Sequence, residues 1–162
     1  MIYRYKTTFT RPGNATTYSA GDAVTDGDPM TLVPAGSFKN GRIVGAKLSI
    51  SNSNTTNASF QLFFFSDDAN IPTLTDNSAF AMTAAAEEDL LGYTTLALET
   101  TGSSGSSVAW DSNTGLLIPF ERKRVSGVDQ AIYGVLAATA AYDPIGELTV
   151  VDVTVYVEEL PD

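Results

Sequence analysis

The chain has 162 residues, with 19 acidic and 9 basic side chains, a formal net charge of −10, and neither cysteine nor histidine. Those absences exclude disulfides, thiolate nucleophiles, zinc fingers and any Ser/His/Asp or Cys/His catalytic arrangement. The acidic balance argues against a nucleic-acid partner, which would need clustered Lys and Arg on a phosphate-binding face.

The length and the 43% hydrophobic share predict one folded domain over 1–162, with no cofactor and no bound metal. The start, Met1 to Lys6, has no apolar h-region, so no secretory signal is expected. Tyr3 to Phe9 alternates and reads as a first strand, with residues 1–13 as an N-terminal arm. Arg4, Lys6 and Arg11 make a weak basic group on it. Turn residues follow at Arg11-Pro12-Gly13-Asn14 and Asp26-Gly27-Asp28-Pro29. Asp26 and Asp28 are oxygen donors that calcium accepts, yet the spacing is not that of an EF-hand, and a plain turn is the expected reading.

Ile43 to Ser53 places Ala46, Leu48 and Ile50 on one face and Lys47, Ser49 and Ser51 on the other, a half-buried strand. Ser51 to Asn57 is a polar turn, and the sequons at Asn14, Asn54 and Asn57 read as chance in a Thr/Ser/Asn-rich chain. Ala58 to Phe65 is an aromatic strand. Its apolar run is far too short to span a bilayer, so no membrane partner is expected. Asp76 to Leu91 is alanine-rich and predicts one or two helical turns, with Asp76 and Thr83 as candidate caps and Glu87 to Asp89 as a polar edge.

Tyr93 to Leu98 is a further strand, and Thr101 to Ser107 a glycine–serine loop without the lysine of a phosphate-binding loop. Trp110 is the single tryptophan. It reads as a core or interface residue, or as a sugar platform beside Asp111. Leu116 to Phe120 leads into Glu121-Arg122-Lys123-Arg124, where Arg122, Lys123 and Arg124 are either a docking cluster for an acidic surface or a solvated strand end. Ala131 to Ala141 and Val150 to Val157 are the last strands. In the latter Val151, Val153, Val155 and Val157 point one way, and Asp152, Thr154, Tyr156 and Glu158 the other.

Many short strands separated by polar turns predict an all-β chain, a jelly-roll-like two-sheet β-sandwich with at most one or two short helical turns. Carboxylates are the remaining chemistry. Asp67, Asp68, Glu99, Asp111 and Glu121 are candidates for a glycosidase pair, but no spacing marks two of them as facing, and solvated surface acids are expected. The chain is not expected to be an enzyme.

Four blocks resemble a known family. Arg11-Pro12-Gly13-Asn14-Ala15-Thr16-Thr17-Tyr18-Ser19-Ala20-Gly21-Asp22-Ala23-Val24 is similar to the opening R-P-x-x-x-T-x-Y-x-A-G-D-x-V of small structural proteins of tailed bacteriophages. Gly41 to Ala46 resembles their G-x-I-x-x-A segment. Phe60 to Phe65, Pro72-Thr73 and Asp76-Asn77-Ser78-Ala79-Phe80 resemble their F-x-L-x-x-F … P-T … D-N-x-A-F block, and Ile132 to Leu136 their L-Y-G-x-L strand. The likeness runs from about residue 9 to residue 157 through loose motifs in a shared order, with Ser78 and Ala23 departing from the usual residues. It implies a capsid decoration (cement) protein: a β-sandwich trimer, made in the bacterial host cytoplasm, on the outer capsid surface. Its partners would be the major capsid protein and itself. The candidate contacts are Arg4, Lys6, Arg11, Trp110, Arg122, Lys123 and Arg124. A tail or neck component and a virion-surface carbohydrate-binding module are the alternatives.

Overall fold

The computed structural model describes residues 1–13, 16–36, 38–51, 58–100, 107–111, 116–144 and 149–161, and of 99–100 and 107–111 the backbone alone. The three sequons, the loop 101–106, the turns at 52–57 and 112–115, and the side chains of Glu99, Trp110 and Asp111 lie outside the described residues. The elements are β1 (Ile2–Thr10), β2 (Ala23–Val24), β3 (Met30–Val33), β4 (Asn40–Ile50), β5 (Ser59–Phe65), α1 (Ala84–Asp89) and β6 (Leu90–Ala97). They continue with β7 (Glu99–Thr100), β8 (Ser107–Asp111), β9 (Ile118–Glu121), β10 (Arg124–Val125), β11 (Val128–Asp129), β12 (Ile132–Ala138) and β13 (Val150–Glu159).

One sheet runs β1-β13-β4-β8-β7, with β9 pairing β4 beyond β8. The other runs β2-β12-β5-β6, with β3 continuing β2 along β12. The pairing is antiparallel throughout. β1 pairs β13, β2 and β3 pair β12, β4 pairs β8 and β9, and β5 pairs β6. This is one long antiparallel hairpin with its tip at β5–β6, rolled so that β13 meets β4 and β12 meets β5. That strand order is a jelly roll, as the turn-separated strands predict.

Period-two patterning places the core between the sheets. Val151, Val153, Val155 and Val157 are fully buried. They face Phe60, Leu62 and Phe64 of β5 and Ile132 and Leu136 of β12 within one cluster. Ile43 and Ala46 of β4 are both fully buried although they are three residues apart. The ladder explains it: Tyr156 pairs Gly45 and Val157 pairs Ile43, so Val44 is an extra residue that resets the phase.

The outer face of the second sheet is covered. Residues 66–89 fold back over it and seat Leu74 and Ala86 against Phe65 and Val135. The burial of β5 therefore alternates from Ser59 to Phe64 and breaks at Phe65: Phe64 and Phe65 are both fully buried, on opposite faces. Thr83 caps α1, its side chain accepting from the Ala86 amide at 3.1 Å. Asp76 is no helix cap, and Asp89, expected on a polar edge, is buried. The outer face of the first sheet carries no such cover among the described residues.

Candidate functional site

The expected basic contacts do not gather on one surface. Arg4 and Lys6 stand on the exposed side of β1, where alternate residues point to solvent. Arg11 is buried to 1% exposure, and Arg122 to 3%. The Arg122 guanidinium lies over the rings of Phe38 and Phe120, at 5.3 and 5.9 Å, and donates to the Gln130 carbonyl at 2.6 Å. Burial pulls its pKa below the ordinary arginine value. Arg122 and Lys123 lie in the link between β9 and β10, and with Arg122 turned into the core and Lys123 bound to Asp67 and Asp89 the run Arg122-Lys123-Arg124 does not present three cations together. Arg11 and Arg122 are thus internal cations, not a docking face.

Lys123 turns the other way, into a clamp. Its ammonium lies 2.7 Å from Asp67 and 3.3 Å from Asp89. Asp89 also accepts from Asn70 at 2.8 Å, and the Asp67 carboxylate accepts from the Ala69 amide at 3.1 Å. The Lys123 contact holds the Asp67 carboxyl below its ordinary pKa, against the opposing effect of burial. Asp67, expected as a solvated surface acid, is in fact a structural anchor. Arg124 is exposed and donates to the Gly127 carbonyl at 3.0 Å. It opens a small hairpin whose turn residues Ser126 and Gly127 have positive φ, as a type I′ turn requires. The hairpin tip exposes Val125 and Val128, an apolar pair that the sequence reading did not single out.

Asp26 and Asp28 form a turn held by the Thr25 hydroxyl, which accepts from the Gly27 amide at 2.9 Å. No group of three acidic side chains able to hold a metal occurs among the described residues. Glu121 is exposed and paired with Lys39 at 3.1 Å.

The residues that carry the phage resemblance do meet. Asp76 accepts from the Tyr18 hydroxyl at 2.6 Å and from the Thr25 amide at 3.2 Å, and its other oxygen lies 3.6 Å from Arg11 Nε. The Arg11 guanidinium sits 5.1 Å from the Tyr18 ring centre, and Tyr18 stacks on Tyr142 at 6.1 Å. Burial first, then the Asp76 bond, raises the Tyr18 pKa far above its ordinary value, and burial pushes Tyr142 up to about 12. Backbone bonds stitch the same two segments: Ala23 N to Ser78 O at 2.8 Å, Asn77 N to Ala23 O at 3.0 Å and Phe80 N to Gly21 O at 2.8 Å. Asn77 and Gly21 have positive φ, which lets the chain turn sharply at both places. This node locks the start of the chain to the segment that covers the second sheet.

The outer face of the first sheet is the remaining surface with charge character. Across β1, β13 and β4 it presents Arg4, Lys6, Arg42 and Lys47, with Asp152 and Glu158 between them. Lys6 lies 2.9 Å from Asp152, and Arg42 Nε 2.6 Å from Glu158. Burial raises the Asp152 pKa, but the Thr8 hydroxyl and Lys6 outweigh it and hold the carboxyl low; Arg42 does the same for Glu158. On these three strands four cations stand against two acids, and β9 adds Glu121 opposite Asn40 on the same face, so the cationic excess belongs to the β1 side rather than to the whole face. Lys47 stands on the polar face that the alternation of β4 predicts, whereas Arg42 has the same sequence phase as Leu48 and Ile50 and reaches the outer face only because the extra residue Val44 shifts the register.

No protein-family model and no curated protein matches the chain. Among solved structures it is similar to the decameric BFDV capsid protein, at 18% identity over 97% of each chain with a TM-score of 0.34. It is also similar to Desmodium yellow mottle tymovirus, at 10% identity over 97% of this chain and 85% of the other, TM-score 0.32. A third is the 60-mer BFDV capsid protein, at 17% identity over 100% of this chain and 97% of the other, TM-score 0.32. At such scores the fold assignment rests on strand order alone.

Proposed function

We propose that this chain is a virion structural protein of a tailed bacteriophage: a capsid decoration protein that binds outside the icosahedral head and strengthens contacts between major capsid subunits. The observation that supports this best is the node of Arg11, Tyr18 and Asp76. These residues belong to two of the blocks that carry the resemblance, and they join the chain after β1 to the segment that covers the second sheet. A family pattern that resides in architecture fits a protein whose work is mechanical. The described carboxylates support the same non-enzymatic reading: Asp67 and Asp89 are engaged by a lysine, Asp76 by Arg11 and Tyr18, and Asp152 by Lys6 and Thr8.

A net charge of −10 favours the outside of a shell, since a lumenal position would face the like charge of packaged DNA. Self-association into trimers would multiply weak contacts into firm retention. Calibrated gel densitometry of purified virions against the major capsid protein tests the reading. A ratio near one to one is the expected result. A few copies per particle would move the protein to the tail or neck, and absence from virions would end the proposal.

A further inference from the structure

The free edge of β1 has the chemistry of a strand-docking site. Glu159 N donates to Met1 O and Arg11 N to Thr149 O, so in the register Tyr3↔Val157, Tyr5↔Val155, Thr7↔Val153 and Phe9↔Val151 the odd residues exchange backbone bonds with β13. Ile2, Arg4, Lys6, Thr8 and Thr10 therefore aim their N–H and C=O groups away from the sheet, and all five are exposed. β1 is the terminal strand of its sheet and nine residues long. Among the described residues no strand pairs with its outer side, and β3 approaches only on the core side, where the Thr7 hydroxyl donates to the Thr31 carbonyl. An unpaired edge of that length is a template for an added strand.

Side chains decide which strand fits. A second copy adding antiparallel would oppose Arg4 to Arg4, Arg4 to Lys6, or Lys6 to Lys6 in the three central registers. Like charges directly opposite one another are destabilising. Carboxylates two residues apart on an incoming strand would stand on the same face as Arg4 and Lys6 and pair with both. Arg42 and Lys47 extend the cationic face behind them. On a chain of net charge −10, these cations give the β1 side a local charge complementary to an acidic segment.

We infer that the β1 edge accepts an extended acidic segment of another protein, with alternate carboxylates against Arg4 and Lys6. On the reading above that protein is the major capsid subunit, but the edge chemistry does not depend on it.

The probe is a blocked hexapeptide Thr-Glu-Val-Glu-Thr-Thr, with the Lys-for-Glu peptide as control, followed by amide hydrogen exchange on the intact protein. In the free protein the amides of Tyr3, Tyr5, Thr7 and Phe9 should be protected and those of Arg4, Lys6 and Thr8 should not. The Glu peptide should slow exchange at Arg4, Lys6 and Thr8, and the Lys peptide should not. The R4E/K6E double variant should weaken Glu-peptide binding roughly tenfold and turn the preference to the Lys peptide. If it does not fold, R4Q/K6Q should still lose about threefold. Equal binding of both peptides, protection away from β1, no protection, or indifference to the substitutions would overturn the inference. Virion copy number is read separately, so failure of the edge and failure of the decoration role are distinguishable.

Discussion

Asp76 shows how one side chain organises distant chain. It satisfies the Tyr18 hydroxyl and the Thr25 amide and sits beside a guanidinium that is 1% exposed. Removing a carboxylate from such a setting leaves a buried charge and two donors facing a void, at a cost of about 3–5 kcal/mol. D76A should lose that much in urea denaturation. D76N keeps the shape and an acceptor oxygen but removes the charge that faces Arg11, so it should lose most of that amount. A D76N loss below half that of D76A would assign the effect to packing rather than to charge. Thr83 is a simpler case. Its hydroxyl satisfies one amide at the start of a six-residue helix, so T83A should cost roughly 1 kcal/mol by the same assay.

Elements were legible where one face is buried and one is wet. β13 and the second half of β4 obey period two because the core lies on one side of them, and the expected faces are those found. β5 keeps its period to Phe64 and loses it at Phe65, because residues 66–89 cover its back, a tertiary fact invisible in the segment itself. β2, β10 and β11 have two residues each, too few to show any period. Lys123 was visible as a cation but its partners were not: Asp67 lies more than fifty positions earlier, on another element.

That clamp joins the segment after β5, the end of α1 and the chain leading into β10. Asp67 has a folded pKa below its ordinary 3.8, so its contribution is complete above about pH 4 and fades as pH falls through the lowered value. Lys123 is raised above 10.5, so its contribution is complete below that pH and fades as pH rises through the raised value. K123M should therefore lower the melting temperature at pH 7 and flatten the loss of stability below pH 4. An acid limb unchanged from the parent protein would show that the clamp does not couple to folding. At β12, Gly134 leaves no room. An added Cβ would fall 2.5 Å from Leu32 Cδ1, and Leu32 is buried at 1% exposure. G134A should cost about 1–3 kcal/mol, and L32V should recover part of that loss in the double variant, since the two residues share one space.

At the scale of the molecule, the rolled hairpin makes the two ends of the chain depend on each other. β13 lies between β1 and β4, so residues 150–159 supply the ladder partner of residues 2–10 and most of the partner of residues 41–50. They also bring four fully buried valines, worth about 1.5–3 kcal/mol each on burial. The sum is on the order of 6–12 kcal/mol, comparable with the roughly 5–15 kcal/mol by which a whole domain is stable. No sandwich can close before these last residues are available. The jelly-roll order therefore predicts all-or-none folding governed by long-range pairing, in the range of milliseconds to seconds rather than microseconds. A chain ending at residue 149 should show no cooperative thermal transition by circular dichroism. Adding the peptide 150–162 in trans should restore β-sheet signal, because the vacant groove between β1 and β4 selects a strand of that length and alternation. Cooperative melting of the truncated chain near the parent temperature would mean that β13 is an accessory strand and that the core is carried by β5 and β12.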